Sequence, residues 1–326
     1  MVIMNYHVEF LTQKGNRFKL GMLESITVKK SVENLADTAT IVLPGSEYNK
    51  TLSLEESVSE GDSVSIRFGY DKSGKELPVE FEGYVESINT DGGSITINCE
   101  DEIYSLRKEL KDEVLENIKL KSLLEHVLQQ ADVKIGVDCK YDITYGKFTI
   151  YGATIYDVIK KVQEETKANV YLVGKTLYVD PQYSRLSNTV IYDFAVNIEK
   201  ADLKYRDESK RKFLVTVEGS DADGKAIKGQ AGKQGGDAVN IKFSAISTQE
   251  SLNAIAQETL KSKSYTGYEG NFTGWLLPGV KPTDVAELRD KEEVYKSGKY
   301  YVLSVETKFD KSGGSRKITI GKNLQT

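Results

Sequence analysis

Residues 84–97 read Tyr-Val-Glu-Ser-Ile-Asn-Thr-Asp-Gly-Gly-Ser-Ile-Thr-Ile, two alternating stretches around an Asp-Gly-Gly turn. Alternation of apolar and polar residues predicts a half-buried strand on each side of the turn. Asp91-Gly92-Gly93 favours a hairpin, because these residues tolerate positive φ. The same order returns near the C-terminus, as Tyr-Val-Leu-Ser-Val-Glu-Thr at 301–307, Gly-Gly-Ser at 313–315 and Ile-Thr-Ile at 318–320. Either one β domain occurs twice in the chain, or two common hairpins have converged.

The sequence before this first hairpin predicts further strands. They fall at 8–10, 18–20, 26–28, 38–43 and 63–70, and short turns separate them. Many short strands at this spacing are typical of a barrel or a sandwich. We therefore interpret residues 1–110 as a β domain.

The middle of the chain changes from strands to helices alternating with strands. Apolar residues at helical spacing begin at Leu120 and again at Ile155, and each stretch is followed by a strand-like segment. Thr154 with Asp157 resembles a capping box at the start of the second helix. Residues 111–187 are therefore predicted to form a small α/β domain of two helix-strand units.

Residues 188–326 return to strands, with one predicted helix at 248–263. The segment 219–236 is rich in Gly, Lys, Gln and Asp and fits neither phosphate-binding glycine motif, so a long mobile loop is predicted. Lys225, Lys228 and Lys233 on that loop are candidates to touch a partner subunit or to line a channel.

Composition argues against most enzyme classes. The 326 residues include 2 His and 2 Cys, against 19 Tyr and 27 Gly. Neutral-pH catalysis draws heavily on His and Cys, and two of each cannot build a multi-histidine metal site or a four-cysteine zinc site. The sequence favours a structural or binding protein and predicts no catalytic, cofactor-binding or metal-binding residue.

Charge and targeting signals exclude further classes. The net charge of −5 argues against a nucleic-acid binder held by phosphate contacts. The first ten residues do not form a secretory signal, and no apolar run is long enough for a membrane helix. We expect a soluble protein made in a cytoplasm, without stable membrane insertion.

Several short motifs together resemble one family. They are Glu60-Gly61-Asp62, Phe68-Gly69-Tyr70, Phe81-Glu82-Gly83-Tyr84-Val85, Cys99-Glu100-Asp101, Trp275-Leu276-Leu277-Pro278-Gly279, Asp284-Val285-Ala286, Gly298-Lys299-Tyr300-Tyr301-Val302 and Ile318-Thr319-Ile320-Gly321. In this order they resemble phage baseplate hub proteins, the late control D and Mu-like 43 kDa tail protein family, related to type VI secretion spike-hub proteins. The resemblance spans nearly the whole chain.

The resemblance implies an architecture and a role. Family members form homotrimers with two tube-like β-barrels per subunit, so that six barrels make a pseudo-hexameric ring. This ring joins a six-fold tail tube to a three-fold central spike. The resemblance therefore implies two barrels flanking the α/β insert, tube and spike proteins as partners, DNA that only passes through the channel, and a place in a virion tail.

Residues in the resembling motifs are candidates for interface or structural roles. Trp275, beside Pro278 and Gly279, is predicted to be a core residue or a subunit-interface anchor. The remaining candidates of this kind are Gly83, Tyr84, Tyr300 and Tyr301.

Two functions from other classes remain open. A cell-wall polysaccharide-processing enzyme would need facing carboxylates across a cleft, which sequence alone does not exclude in a chain with 49 acidic residues. A monomeric carbohydrate-binding module would bind glycan without assembling.

Overall fold

The computed structural model describes residues 3–44, 57–70, 76–91, 94–221, 225–243, 248–294 and 297–325. Within these residues the protein is β-rich with three α-helices, which confirms the predicted β-rich α+β class. The helices are α1 (Leu120–Gln130), α2 (Ile155–Thr166) and α3 (Gln249–Lys263). All three were predicted, and the capping box at Thr154 and Asp157 is present.

The first seven strands of the chain form what we call the first β unit. They are β1 (Met4–Leu11), β2 (Arg17–Lys19), β3 (Ser25–Ser31), β4 (Thr38–Leu43), β5 (Ser63–Tyr70), β6 (Val79–Asp91) and β7 (Ser94–Glu100). In space they lie in the order β3-β4-β7-β6-β5-β1-β2, and every neighbouring pair is antiparallel. Their alternating residues bury one face of the sheet over a core that includes Phe10, Ile41 and Phe68.

Six strands of the C-terminal part form the second β unit. They are β13 (Thr189–Asp193), β14 (Ile198–Arg206), β18 (Gly267–Trp275), β19 (Val285–Arg289), β20 (Gly298–Asp310) and β21 (Gly313–Asn323). Their spatial order is β14-β18-β21-β20-β19-β13. This repeats β3-β4-β7-β6-β5-β1 strand for strand; the difference is β13, which runs parallel to β19 whereas β1 is antiparallel to β5.

The two hairpins singled out in the sequence also share an irregularity. Val85 lies opposite Cys99, and the register then shifts before Ser87. In the second unit Val302 lies opposite Ile320, and the register shifts again before Ser304. A β-bulge at the same place in both hairpins supports duplication over convergence. The turn residues Gly92 and Gly93 lie outside the described residues.

The remaining elements form an α/β layer with one shared core. Its strands are β8 (Glu113–Lys119), β9 (Gly136–Cys139), β10 (Thr144–Ile150), β11 (Asn169–Val173), β12 (Thr176–Asp180), β15 (Phe213–Ser220), β16 (Ala226–Gly232) and β17 (Asp237–Lys242). All three helices bury their apolar faces in this core. The segment with β15–β17 and α3 is inserted between β14 and β18, yet it packs with the elements of residues 111–187 rather than with the second β unit.

The segment 219–236 is not the long mobile loop predicted from its composition. β15 and β16 form a hairpin across it, and residues 222–224 at its tip lie outside the described residues. Gly229 serves close packing here, because a Cβ at this position would lie 2.5 Å from the backbone of Leu252 in α3. Gly229 therefore permits α3 to approach β16 closely. The glycine content of this segment serves packing here, although its composition predicts flexibility.

The two β units join edge to edge. β3 of the first unit pairs with residues 304–310 of β20, so both units belong to one 13-stranded sheet. In the described part of the chain this sheet is open, and the predicted pair of barrels is not confirmed. The division at residues 110 and 187 stays a prediction.

Candidate assembly surface

A buried aspartate fixes the loop that leads into β5. Asp62 accepts the N–H of Ser59 on Oδ2 at 2.8 Å and the N–H of Gln13 on Oδ1 at 2.9 Å. Its backbone carbonyl accepts the N–H of Val85 in β6. The preceding residue, Gly61, has a φ of +84°. The carboxylate thus satisfies backbone donors that a loop beside a sheet would otherwise leave unpaired.

The second β unit builds the same loop from different residues. Asp284 accepts the N–H of Lys281 on Oδ2 at 2.8 Å and the N–H of Asn188 on Oδ1 at 3.0 Å. Its carbonyl accepts the N–H of Val302, and the preceding residue, Thr283, has a φ of +75°. The duplication therefore extends to single hydrogen bonds. The sequence signal for this equivalence is weak, since the two loops share only an aspartate directly before a strand, β5 in the first unit and β19 in the second.

The junction between the two units contains a buried ion pair. The guanidinium of Arg316 in β21 lies 2.6 and 3.1 Å from the carboxylate oxygens of Glu80 in β6, and both side chains are buried. Arg316 also donates to the carbonyl of Leu276 and to Thr307. Leu276 inserts into the core of the first unit. Neither residue of the ion pair was singled out from the sequence, because its members are 236 positions apart.

Trp275 lies on the surface of the chain. Its side chain is 51% exposed, and Leu277 beyond it is 48% exposed, while Leu276 between them is buried. The core role offered for Trp275 is therefore excluded, and the interface role stays a prediction. Gly279 and the half-buried Pro278 follow on the same exposed segment.

Tyr300 and Tyr301 are buried inside the chain. The Tyr300 hydroxyl accepts the N–H of Tyr268 at 3.0 Å. The Tyr301 hydroxyl accepts from the amide of Asn169 in β11 at 3.3 Å, which ties the second β unit to the α/β layer. Both tyrosines thus act within the chain, and as folded they offer no surface to a partner.

Gly83 and Tyr84 shape the middle of β6. A Cβ on Gly83 would lie 2.1 Å from the carbonyl oxygen of Glu100, so a side chain there requires the strands to separate. The Tyr84 ring stacks on Tyr104 at 5.6 Å between ring centroids, and its hydroxyl donates to Glu102 at 3.1 Å. Both positions thus make contacts within the first unit, and an interface role for them stays a prediction.

The three candidate lysines lie on the β15–β16 hairpin and the turn that follows. Lys228 forms an ion pair with Glu218 on the adjacent strand, at 2.7 Å. The N–H of Lys225 donates to Asp221, and Lys233 is exposed in the turn after β16. Their role toward a partner or a channel stays a prediction.

A cleft of about 1120 Å³ is lined by residues of the first unit, of β11 and of the loop that leads into β19. It contains the half-buried carboxyls of Asp37 and Asp101. Burial raises the pKa of Asp37 to about 6, and burial together with the charge of Asp37 raises the pKa of Asp101 to about 7. Asp101 accepts the N–H of Asp37 and of Ile103, and Asp37 accepts that of Ser31. These bonds give both carboxyls a structural role in holding the turns after β3 and β7.

In the described ranges, no group of three or more His, Cys, Asp or Glu side chains is arranged to hold a metal ion. No helix there is both long and apolar enough to cross a membrane.

No protein-family model and no curated protein matches the sequence. Solved structures do match. A tail protein from Neisseria meningitidis MC58 superposes with a TM-score of 0.66 at 15% identity, over 98% of this chain and 97% of the other. The 43 kDa tail protein of prophage MuSo2 from Shewanella oneidensis gives 0.63 at 15% identity, over 97% and 98%.

The chain has the fold of a phage tail protein. A component of the E. coli type VI secretion system, described as structurally similar to the T4 bacteriophage tail proteins gp27 and gp5, also matches. Its TM-score is 0.58 at 8% identity, over 93% of this chain and 74% of that one. The resemblance found in the short motifs is therefore confirmed at the level of the fold. The phage tail fold extends over both β units and the α/β layer, since the matches cover nearly the whole chain.

Proposed function

We propose that this protein is a structural hub in the tail baseplate of a contractile phage or in a related injection machine. Three copies would form a ring that presents six β units, joining a six-fold tail tube to a three-fold central spike. The observation that carries the proposal is the repeated strand order, β3-β4-β7-β6-β5-β1 and β14-β18-β21-β20-β19-β13, within one chain. A chain that contains two equivalent units lets a trimer offer six similar surfaces to a hexameric partner.

The fold shared with phage tail and type VI secretion proteins supports the same proposal. The partners would be the tube and the spike, and DNA or effector protein would pass through the ring without being bound. The chain would act in the virion tail after synthesis in the bacterial cytoplasm. Its work would be permanent assembly, without turnover of a substrate.

Molar mass and particle shape test this proposal. Light scattering coupled to size exclusion should give three times the chain mass of 36.3 kDa, and electron microscopy should show rings with three-fold symmetry. A monomer at every concentration that also hydrolyses peptidoglycan would favour the enzyme. A monomer that binds glycan without hydrolysis would favour the carbohydrate-binding module.

A further inference from the structure

Two turns of the first β unit insert into the α/β layer. One is the turn after β3, at residues 32–37, and the other is the short 3₁₀ turn Glu102–Leu106 that follows β7. Leu35 of the first turn, together with Ile103 and Leu106 of the second, is buried in the core of the α/β layer. The described core of the first β unit contains none of the three. The position of these two turns therefore decides how the α/β layer sits on the first unit.

Asp37 and Asp101 tie the two turns together. The backbone N–H of Asp101 donates to the carbonyl of Asp37 at 3.0 Å, and the N–H of Asp37 donates to Oδ2 of Asp101 at 3.2 Å. Oδ1 of Asp101 accepts the N–H of Ile103 in the 3₁₀ turn, and Oδ1 of Asp37 accepts that of Ser31 at the end of β3. Both residues line the cleft of about 1120 Å³. The link between the turns thus depends on two carboxyl groups that can ionise.

The second β unit satisfies the equivalent N–H group without a carboxyl. Alignment on the shared bulge makes Cys99 equivalent to Ile320, and counting along the strands opposite them makes Asp37 equivalent to Tyr268. The N–H of Tyr268 donates to the hydroxyl of Tyr300 at 3.0 Å. Burial raises the pKa of Tyr300 to about 12, so this acceptor stays neutral. The repeated β fold therefore does not need an ionisable group at this place, and the aspartates belong to what is particular to the first unit.

The charges around the two aspartates are mostly negative. Lys30 attracts the Asp37 carboxylate, whereas Glu100 repels that of Asp101. Arg107 lies nearby but is bound to Glu100 at 2.6 Å. In the described part of the chain, neither aspartate forms an ion pair. Apart from ion pairs at the strands β1, β2 and β5, the other charged neighbours in the same turn and along the cleft are Glu33, Glu82, Glu102 and Lys281.

This environment keeps protons on the two carboxyls at a pH where an ordinary aspartate is ionised. Burial raises the pKa of Asp37 to about 6, and burial followed by the charge of Asp37 raises the pKa of Asp101 to about 7. Above neutral pH two half-buried carboxylates therefore repel each other across the link. A movement of the turns that admits water to both carboxylates becomes more favourable by the same linkage.

We infer that Asp37 and Asp101 form a proton-dependent latch, which holds the α/β layer on the first β unit while they are protonated and releases the two turns when both ionise. The open state is local: the turns separate, Leu35 and Ile103 withdraw from the α/β core, and the cleft widens. The paired strands of the β units keep their hydrogen bonds. A change of charge at two side chains thus biases two positions of a whole layer. The device lies within one chain, so it does not depend on the number of copies in the assembly.

Hydrogen exchange followed by mass spectrometry tests the latch in the full chain. Peptides covering residues 31–37 and 101–106 report the N–H groups that the two carboxyls accept, and a peptide covering 267–272 reports the equivalent N–H of Tyr268. Protection at the first two peptides should fall by about tenfold or more between about pH 5.5 and about pH 8, after correction for the intrinsic pH dependence of exchange. At the higher pH, urea below the unfolding transition should not accelerate exchange at the turns, because local opening exposes little surface.

Matched variants assign the effect to the two carboxyls. Asp37→Asn with Asp101→Asn keeps an oxygen acceptor at both positions and removes the charge, so protection at the turns should stay nearly constant over the pH range. Each single variant should reduce the fall, which keeps the test decisive if the double variant does not fold. Glu82→Gln, at an exposed carboxyl on the same cleft, is the control and should leave the fall unchanged.

The outcomes are distinct. A fall at the two turns that urea does not accelerate, and that the double variant abolishes, supports the latch. Equal protection at both pH values overturns it. A fall that urea accelerates alike at the turns and at 267–272 is global unfolding and also overturns it. Persistence of the fall in the aspartate variants, or its loss in Glu82→Gln, assigns the effect to other groups and overturns the role of the two aspartates. None of these outcomes depends on the trimeric mass that tests the proposed function.

Discussion

Arg316 of the second β unit and Glu80 of the first form an ion pair that is buried at the junction of the two units, with a shortest distance of 2.6 Å. Arg316 also donates to the carbonyl of Leu276 and to Thr307. The pair holds the two units in one relative position, which the proposed ring would require.

Removal of one partner of this pair should be costly. Arg316→Met leaves the Glu80 carboxylate buried without its cation, and we expect a loss of about 3–5 kcal/mol in the free energy of unfolding, measured in urea. Arg316→Met with Glu80→Met should recover much of that loss. Arg17→Met is the matched control, since Arg17 pairs with Glu9 on the surface and should cost about 1 kcal/mol or less. Equal effects of Arg316→Met and Arg17→Met would contradict the role given to the buried pair.

Asp62 and Asp284 should contribute similar amounts to the free energy of unfolding. Asp62→Ala and Asp284→Ala each remove two charge-assisted bonds to backbone N–H groups. We expect each to lower the unfolding free energy by about 2–4 kcal/mol, and by similar amounts. Asp207→Ala, at a more exposed carboxyl that caps a short 3₁₀ turn, serves as control and should cost about 1 kcal/mol. A large effect at one loop and none at the other would contradict their equivalence.

A side chain at position 229 should destabilise the folded chain. Gly229→Ala places a Cβ against the backbone of Leu252, so β16 and α3 must separate. Overpacking of this kind costs about 1–3 kcal/mol, which thermal unfolding would detect as a lower midpoint. Gly279→Ala is the control, because nothing lies within 4 Å of its Cβ position. An unchanged midpoint for Gly229→Ala would restore the mobile-loop interpretation of this segment.

Stability should fall as the pH rises through neutrality. The pKa of Asp101 is about 7 in the folded chain, raised first by burial and then by Asp37, against an ordinary value of 3.8. A raised folded-state pKa means that the folded chain holds its proton longer than the unfolded chain. The stabilisation that the Asp101 carboxyl contributes is therefore complete below about pH 4 and is lost as the pH rises past about 7.

Urea unfolding between pH 5 and pH 8 measures this dependence. We expect the wild-type chain to lose about 2 kcal/mol or more over that range. Asp101→Asn removes one of two titrating groups and should reduce the loss most of all above pH 6, because Asp37, with a pKa of about 6, accounts for the remaining slope at lower pH. A wild-type curve that is flat, or that rises with pH, would refute the assignment.

Trp275 should contribute to assembly and little to folding. Its exposed ring gains little from the folded monomer, whereas large aromatic side chains dominate the energetics of interfaces. Trp275→Ala should therefore leave the urea midpoint of the chain almost unchanged and reduce the trimeric fraction in light scattering. Tyr151→Ala, at a ring that is 81% exposed in the α/β layer, is the control. Loss of trimer in both variants, or in neither, would remove Trp275 from the interface.

Local patterns in the sequence were enough to predict the three helices and the repeated hairpin, but not β16, which lies in the segment predicted to be a loop. The apolar spacing from Leu120 and from Ile155 predicts α1 and α2, because a helix in a two-layer structure must bury one stripe. The hairpin repeat at Tyr84 and Tyr301 indicates a duplication, because period-two alternation and turn residues are read within a few positions.

Distant contacts decided the rest. The equivalence of Asp62 and Asp284 was hidden because a loop of backbone donors needs one carboxylate and leaves the neighbouring residue types free. The glycine-rich composition around Gly229 predicts mobility, whereas in the structure α3 packs directly against Gly229.

The sequence by itself therefore determined the β-rich class, the helices and the repeated hairpin, since each depends on neighbours along the chain. Tertiary structure alone decided that β3 meets β20 and that Glu80 meets Arg316. Which strand edges pair depends on the direction in which each strand leaves its turn and on which elements already cover the strand's other edge. Pairing between residues 236 positions apart leaves no local pattern to read.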